Sequence, residues 1–238
     1  MSPEQLRRYL NYYQDLGVKN IYRRTPATAA PAEIVAPIPA ELPPLEPVGD
    51  TLAKISEDIG DCRRCRLCEG RSKIVFGSGN EKARLVFVGE GPGADEDAQG
   101  LPFVGRAGQL LTQMIENTAA KEGIPIHRAD VYICNVVKCR PPENRTPQPD
   151  EMEICGQFLS RQLMVLRPRA ICALGSTAAK ALLATKDGVT RMRGRWHKWR
   201  DIPVRVTYHP SYLLRAYNQE AKREAWEDLK TVLHFVYD

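Results

Sequence analysis

The sequence predicts an α/β fold, a three-layer α/β/α sandwich around a central, mostly parallel four-stranded sheet. Short apolar runs alternate with amphipathic helical patterns, as in strand–helix–strand units. The runs have few polar interruptions, which is typical of parallel strands buried on both faces. The predicted strands are residues 84–89, 131–137, 169–174 and 202–208, and the predicted helices are 106–120, 148–166, 175–185 and 219–236.

The N-terminal part of the chain differs in composition from the rest. Residues 3–16 carry Leu and Tyr at helical spacing, so residues 1–24 are predicted to form a helical extension. The Pro- and Ala-rich residues 25–49 predict a semi-extended linker. The main domain is predicted to span residues 50–238 and to begin with a helix from Thr51. Residues 1–24 are either a tether for a protein partner or an extension that packs weakly.

The composition indicates a cytoplasmic protein. No apolar run approaches the roughly 18 residues needed to span a bilayer, and the polar N-terminus does not resemble a secretory signal. There are seven cysteines, and an odd number without an export signal argues against a disulfide framework. We expect a monomer with no membrane association.

Positive charge is concentrated in residues 190–200, which contain five cations, two Trp and no acid. Basic residues interleaved with aromatic ones suit a phosphate backbone and exposed bases. The simpler interpretation is a solvent-exposed hairpin with the Trp side chains packed beneath it. Arg193 and Arg195 are the candidates for phosphate contacts in this segment.

Several cysteines have spacings that suit metal ligation. The first two are separated by two residues, which lets both thiolates face one metal, and two more follow at a distance. These four candidate ligands are Cys62, Cys65, Cys139 and Cys155. Such a set can hold zinc or an iron–sulfur cluster. In an alternative set Cys68 replaces Cys139 or Cys155, and scattered reduced cysteines are a third interpretation. Cys134 and Cys172 lie within strand patterns and are predicted to be core residues.

Polar side chains follow three of the predicted strands. The first strand runs into a Gly-Pro loop with four carboxylates, among them Glu90 and Glu96, the second reaches Asn135, and the fourth is followed by His209. Right-handed crossovers place these loops on one edge of the sheet, where ligands of open α/β sheets bind. The pattern therefore brings carboxylates, an amide and an imidazole together.

These motifs resemble those of the type-4, iron–sulfur uracil-DNA glycosylases. The matching stretches, all within residues 57–238, are Gly89-Glu90-Gly91-Pro92-Gly93, Gly100-Leu101-Pro102-Phe103-Val104-Gly105, Asn135 to Arg145, and His209 to Arg215. The resemblance implies a uracil-DNA glycosylase-like fold. It also implies a monofunctional enzyme of base excision repair that releases uracil from single- or double-stranded DNA and leaves an abasic site. The implied cofactor is a 4Fe–4S cluster held by Cys62, Cys65, Cys139 and Cys155, with Cys68 outside the pattern.

The resemblance places a uracil pocket in the strand-end loops. Phe103 would stack on the flipped base, while Asn135 would donate to O4 and accept from N3–H, a pattern opposite to that of cytosine. His209 would donate to O2 and stabilise the leaving anion. Glu90 or Glu96 would stabilise the sugar cation or orient water, and Glu96 would exclude the thymine methyl group.

The loop after the first strand departs from the better-known uracil glycosylases. Those enzymes carry a water-positioning Asp where this chain has Gly91, so another group or the departing anion must help the attacking water. Gly91 and Pro92 would contact the base or phosphates through their backbone. Asn144 would support the pocket from the second loop.

The segment after His209 suits insertion into the minor groove. An apolar wedge between base steps stabilises a flipped nucleotide, and Leu213 or Leu214 would supply it. The alternative is that both leucines cap the core. Ser211, Tyr212 and Arg215 would contact phosphates beside the flipped nucleotide.

Two other classes of protein would share some of these features. A non-catalytic iron–sulfur DNA-binding module would keep the cysteines and the basic segment but lack an intact pocket. An iron–sulfur electron carrier would leave the uracil-type polar groups unexplained. The joint presence of Phe103, Asn135 and His209 favours the enzyme.

Overall fold

The computed structural model describes residues 49–215 and 218–238. The predicted extension, residues 1–24, and almost all of the predicted linker, residues 25–49, lie outside the described residues. Within the described ranges, none of the helices is both long enough and apolar enough to cross a bilayer.

Six strands form one central sheet. They are β1 (Ser78–Gly79), β2 (Leu85–Gly89), β3 (Tyr132–Asn135), β4 (Ala170–Leu174), β5 (Trp196–Trp199) and β6 (Ile202–Thr207). Their spatial order is β1-β3-β2-β4-β6-β5. The four central strands pair in parallel, whereas β1 and β5 pair antiparallel at the two edges. The four parallel strands are the four that the sequence predicts.

Helices cover both faces of this sheet. Those in the described ranges are α1 (Leu52–Ile59), α2 (Ala94–Gln99), α3 (Arg106–Lys121), α4 (Pro149–Leu166), α5 (Gly175–Leu183), α6 (Val189–Met192), α7 (Pro210–Leu213) and α8 (Gln219–Tyr237). The hydroxyl of Thr51 accepts a hydrogen bond from the amide of Lys54 at 3.1 Å and caps α1. The predicted helices of the main domain are therefore present, with ends that differ by at most two residues.

Alternate residues of the central strands enter two different cores. In β2, Val86 and Val88 pack in the core formed with α1, α4 and α5, whereas Leu85 and Phe87 pack in the core formed with α3 and α8. All four side chains are fully buried. A strand buried on both faces must be apolar throughout, which explains its uninterrupted apolar run. The three-layer α/β/α prediction is confirmed.

The two edge strands add to the predicted four. β1 has only two residues, too few to produce a pattern. β5 lies inside the basic segment and forms an antiparallel hairpin with β6 through Arg200, whose φ is 50°. The hairpin interpretation is therefore confirmed for the second half of residues 190–200, whereas Val189–Met192 form α6. Trp199 is half-buried, but Trp196 lies at the surface, so the prediction that both Trp side chains pack beneath the hairpin is wrong for Trp196. Exposed charge on an edge strand also discourages pairing with other chains.

Candidate active site

The parallel strands end around one cavity of about 440 Å³. Loops that follow β2, β3, β4 and β6 contribute to its wall. The lining residues that the sequence singles out are Glu90, Gly91, Pro92, Glu96, Phe103, Asn135, Asn144, His209 and Ser211. The structure therefore brings the predicted base-binding and catalytic side chains together.

The ring of Phe103 forms one wall of the cavity. This residue is 5% exposed, and its ring centroid lies 5.6 Å from that of His209. A Cβ atom placed on Gly89 would lie 2.6 Å from two carbons of the Phe103 ring and closer still to Oδ1 of Asn135. Only glycine leaves enough space at the end of β2 for both side chains.

The backbone around Phe103 is held in an uncommon conformation, with a φ of 53°. Glu96 accepts hydrogen bonds from the amides of Gly93, Val104 and Gly105 at 3.1, 2.8 and 2.9 Å. Its Oε1 atom therefore braces the loop that carries Phe103, while Oε2 holds the amide of Gly93 at the start of α2. The predicted roles of Glu96 toward the sugar and the thymine methyl group remain predictions.

A second brace comes from Arg128, which sequence reasoning missed because a single arginine in a turn carries no pattern. Its guanidinium donates to the carbonyl of Pro102 at 2.7 Å and to the hydroxyl of Thr112 at 2.9 Å. Burial lowers the pKa of Arg128, although Glu116 and Glu96 oppose this shift. A half-buried cation thus fixes the carbonyl immediately before Phe103.

Asn135 presents an unpaired polar atom to the cavity. It is the last residue of β3, opposite Gly89 of β2, and is 1% exposed. Its Oδ1 atom has no hydrogen-bond partner among the described residues. Buried polar atoms are rarely left unpaired, because this costs about 1–3 kcal/mol. A ligand with a donor at this position would remove that cost.

The hydrogen bonds of His209 define its tautomer. Its Nδ1 atom accepts from the amide of Ser211 at 3.2 Å and lies 2.7 Å from the Ser211 hydroxyl. Burial lowers the pKa of His209 to about 4, with an opposing contribution from Glu96. The ring is therefore neutral at pH 7, and because Nδ1 is an acceptor, the proton is on Nε2. The site contains a neutral N–H donor rather than a base.

Two further lining residues are held by their neighbours. Glu90, directly after β2, accepts a hydrogen bond from the hydroxyl of Thr177, a partner that the sequence did not suggest. Asn144 accepts from Nε of Arg140 at 2.8 Å. Both side chains therefore have defined positions at the cavity wall.

Comparisons with known proteins bear on these features. The family model described as "Uracil DNA glycosylase superfamily" matches residues 76–230. A type-4 uracil-DNA glycosylase from Thermotoga maritima is 46% identical over 187 residues, which are 76% of this chain and 93% of that protein. The chain belongs to the type-4 uracil-DNA glycosylase family.

Two proteins of Pyrobaculum aerophilum allow a comparison of types within one organism. Its type-4 uracil-DNA glycosylase is 42% identical over 69% of this chain and 85% of that protein. Its type-5 uracil-DNA glycosylase is 32% identical over 57% of this chain and 64% of that protein. Both the identity and the coverage favour the type-4 family.

The structure corrects two residues of the predicted DNA-binding surface of this type-4 family member. Leu213 is 1% exposed and packs with Ala221 and Ala225, so it cannot serve as a wedge in this conformation. Leu214 is 37% exposed and Tyr212 is 40% exposed. Helix α7 ends between the two leucines and directs one into the core and the other to the surface.

Arg193 is the second correction. Its guanidinium donates to Glu224 at 2.8 Å and to the buried carboxylate of Asp228 at 3.1 Å. These two ion pairs anchor the hairpin to α8 and contradict the predicted phosphate contact. Arg195 is exposed, so the prediction for this residue stands.

The four predicted ligands line a second, smaller cavity on the other side of the β3 loop. These residues are Cys62, Cys65, Cys139 and Cys155. Cys68 is not part of this lining. Cys134 and Cys172 are fully buried in the two cores, which confirms their predicted structural role.

A guanidinium and a backbone amide contact two of these thiols. Arg71 donates to Sγ of Cys139 at 3.4 Å, and the amide of Lys138 donates to Sγ of Cys155 at 3.3 Å. Burial raises the pKa of Cys139 to about 11, whereas Arg71 lowers it. In the described ranges, no three Cys, His, Asp or Glu side chains converge as ligands of a single metal ion would. Four cysteine thiolates are also the usual ligand set of an iron–sulfur cluster.

Proposed function

We infer that this chain hydrolyses the N-glycosidic bond of uracil in DNA, releases free uracil and leaves an abasic site for base excision repair. One observation carries this proposal. The cavity combines an aromatic wall, an unpaired buried amide oxygen and a neutral N–H donor in Phe103, Asn135 and His209. Family membership and the close type-4 relatives support the same activity.

The amide of Asn135 would select uracil by its hydrogen-bond pattern. Its Oδ1 would accept from N3–H of the base, and its Nδ2 would donate to O4. Cytosine has an acceptor at N3 and a donor at the neighbouring exocyclic position, so it would leave both amide atoms unpaired. Each such mismatch costs about 1–3 kcal/mol. The ring of Phe103 would stack on the base and hold it in the plane that this pairing requires.

His209 would stabilise the leaving group. Cleavage of the glycosidic bond places negative charge on N1 and O2 of uracil. The Nε2–H of His209 would donate to O2, while Ser211 holds Nδ1 and thereby fixes the ring. A neutral imidazole donates without transferring its proton, so the base departs as an anion. Removal of one such donor costs about 10²–10³-fold in rate by analogy with oxyanion holes.

The sugar side of the site has fewer candidates. Glu90 lies at the cavity wall, and its carboxylate would stabilise positive charge on the deoxyribose or orient the water. Gly91 has no side chain to position that water. The negative charge of the departing uracil would therefore help to stabilise the sugar cation and to orient the attacking water.

DNA would be bound by the rim of the cavity. The target nucleotide must leave the duplex before it can reach Asn135. Leu214 would occupy the vacated space, with Ser211, Tyr212, Arg215 and Arg195 close to phosphates. The ring of Tyr212 lies 5.8 Å from the Arg215 guanidinium, so the two side chains form one surface.

The residues of the cysteine cavity fit a 4Fe–4S cluster. The donor set is four cysteines that line the same cavity, with Arg71 beside one sulfur and a backbone amide beside another. Cys62 and Cys65 precede the sheet, Cys139 follows β3 and Cys155 lies on α4. When bound, the cluster would supply a covalent link between these segments, which are distant in sequence.

The first experiment measures base release from an end-labelled oligonucleotide with one uracil, followed by alkaline cleavage of abasic sites. We expect strand breaks that need alkali and spare a thymine control. His209→Ala should lower the rate at least 10²-fold, whereas the exposed His127→Ala serves as a matched control. No release from single strands, duplexes or U·G mispairs would favour the non-catalytic DNA-binding module. A reversible one-electron couple without base release would favour an electron carrier.

Three assignments outside the cavity remain predictions. We expect a monomer, which light scattering of the full chain would test. Cell fractionation would test the cytoplasmic location. The prediction of a protein partner for residues 1–24 is tested by comparing the partners of the full chain with those of a chain that lacks these residues.

A further inference from the structure

Glu90 places a carboxylate at the wall of the active-site cavity without a cation beside it. The side chain is half-buried and directly follows β2. The ion pairs among the residues that the structure describes include none to Glu90, and Arg145, which lines the same cavity, pairs with Glu151 instead. A fixed negative charge that faces a cavity can stabilise positive charge on whatever reacts there.

Thr177 holds this carboxylate in place. Its hydroxyl donates to Oε2 of Glu90, and within the described ranges no other group donates to this side chain. Thr177 is buried, and the next two residues of α5, Ala178 and Ala179, pack in the core. The carbonyl of Glu90 also accepts from the amide of Val137 at 3.2 Å. Both ends of Glu90 are therefore held by rigid parts of the fold.

The first turn of α5 contacts both sides of the proposed reaction centre. The helix begins at Gly175, with a φ of 88° and no hydrogen bond from a capping side chain. A Cβ atom on Gly175 would lie 3.0 Å from Cβ of His209, while Thr177 holds Glu90. The unpaired amides at the start of a helix carry partial positive charge, which interacts favourably with a neighbouring carboxylate.

The charges of the proposed reaction match this arrangement. When the C1′–N1 bond breaks, its electron pair leaves with uracil and positive charge remains on the deoxyribose. Water then forms the new C1′–O bond, and the proton that it loses passes to the uracil anion. His209 faces the negative charge on the base, so the carboxylate of Glu90 is available for the positive charge on the sugar.

We propose that Thr177 is a positioning residue that holds the Glu90 carboxylate as the fixed counter-charge of the deoxyribosyl cation. This role rests on the proposed function. Of the two roles open to Glu90, it requires stabilisation of charge rather than orientation of water. Thr177 acts indirectly, since its hydroxyl contacts the carboxylate and not the sugar.

Three variants of the full chain test this proposal. Thr177→Val keeps the shape of the side chain without the hydroxyl, whereas Thr177→Ser keeps the hydroxyl. Thr207→Val is the matched control, because Thr207 is a buried threonine whose hydroxyl has no partner among the described residues.

The proteins are compared by thermal unfolding, by single-turnover uracil release and by affinity for two unreactive DNA probes. One probe carries an abasic nucleotide with a neutral tetrahydrofuran ring. The other carries a pyrrolidine ring, whose ammonium mimics the sugar cation. The ratio of the two affinities reports the charge that the site presents to the sugar.

We expect the wild type to bind the cationic probe more tightly than the neutral one. Thr177→Val should lower both this preference and the release rate by roughly tenfold, the lower end of the effect of losing a hydrogen bond to a charged group. Its affinity for the neutral probe should not change. Thr177→Ser and Thr207→Val should match the wild type in preference and in rate.

The outcomes separate the role of Thr177 from the proposed activity. Wild-type protein that releases no uracil overturns the proposed activity. Active wild-type protein without a preference for the cationic probe, or a Thr177→Val protein with an unchanged rate and preference, overturns the role of Thr177 alone. An equal loss of affinity for both probes in Thr177→Val also overturns it, because a general structural defect has that effect.

A further variant covers the case in which Thr177→Val does not fold. Glu90→Gln keeps the size of the side chain and removes its charge. We expect this protein to bind the neutral probe as the wild type does and to lose the preference for the cationic one. A retained preference in Glu90→Gln overturns the proposal.

Discussion

The close approach at Gly89 predicts that one added methyl group will disable the pocket. In Gly89→Ala the new Cβ would lie 2.6 Å from ring carbons of Phe103, whereas ordinary carbon contacts are about 3.5–4.0 Å. The ring and the amide of Asn135 must therefore retreat by about 1 Å. A misplacement of this size costs about 10²-fold in rate, and overpacking costs about 1–3 kcal/mol of stability.

The assay is single-turnover release of uracil, measured beside thermal unfolding. Gly156→Ala is the matched control, since a Cβ on this glycine of α4 has no heavy atom within 4 Å. That control should retain its rate and gain about 0.5–1 kcal/mol from the helix preference of alanine. A Gly89→Ala protein that unfolds and releases uracil as the wild type does would refute the reasoning.

Four further predictions concern single groups. Asn135→Asp should lower uracil release roughly 10–100-fold in the same assay, because the lost donor leaves O4 unpaired at a cost of about 1–3 kcal/mol; a smaller loss for uracil would argue against direct pairing. The release rate should be flat between pH 8 and 5, since burial lowers the pKa of His209 to about 4, and a bend near pH 6.5 in the pH–rate profile would contradict this assignment. Glu122 and Asp238 raise the pKa of His234 in the folded protein. The protonated ring therefore stabilises the fold fully below the pKa of the unfolded chain, and this stabilisation is lost as pH rises through the raised pKa of the folded state. The unfolding midpoints of wild type and His234→Ala should differ at pH 6 and converge at pH 9. Arg128→Met should lower the release rate by about tenfold, since loss of a charged hydrogen bond costs about 1.5–3 kcal/mol, and an unchanged rate would show that the Phe103 loop needs no such brace.

The centre of the fold could be predicted because parallel strands are buried on both faces. Their apolar runs fix where each strand ends, and the strand ends fix where Glu90, Asn135 and His209 meet. The edges could not be predicted in the same way. A two-residue strand such as β1 has no pattern. The basic and aromatic residues interleaved in β5 are also typical of a basic surface segment.

Other features depend on three-dimensional neighbours rather than on sequence pattern. Leu213 and Leu214 are the same residue type, and only the point at which α7 ends decides which one is buried. Arg193 belongs to a basic segment, yet the carboxylates that hold it come from a helix about 30 residues later. Arg128 is likewise recognised only through the carbonyl that it contacts. Sequence patterns indicate which residues are polar, but not which partner each one finds.

The loop between Asn135 and Cys139 joins the proposed base-binding amide to a proposed cluster ligand. Selection by one amide oxygen requires a backbone that cannot shift. The first two residues after β3 donate their amides to the carbonyls of Gly89 and Glu90 at 3.0 and 3.2 Å, which extends the parallel ladder beyond the strand. The carbonyl of Lys138 then accepts from Val75 at 2.8 Å, and its amide reaches a cysteine sulfur. Hydrogen bonds thus hold the backbone of this loop from Val136 to Lys138. A cluster bound at Cys139 would hold the end of the loop, beyond the last hydrogen bond to the sheet.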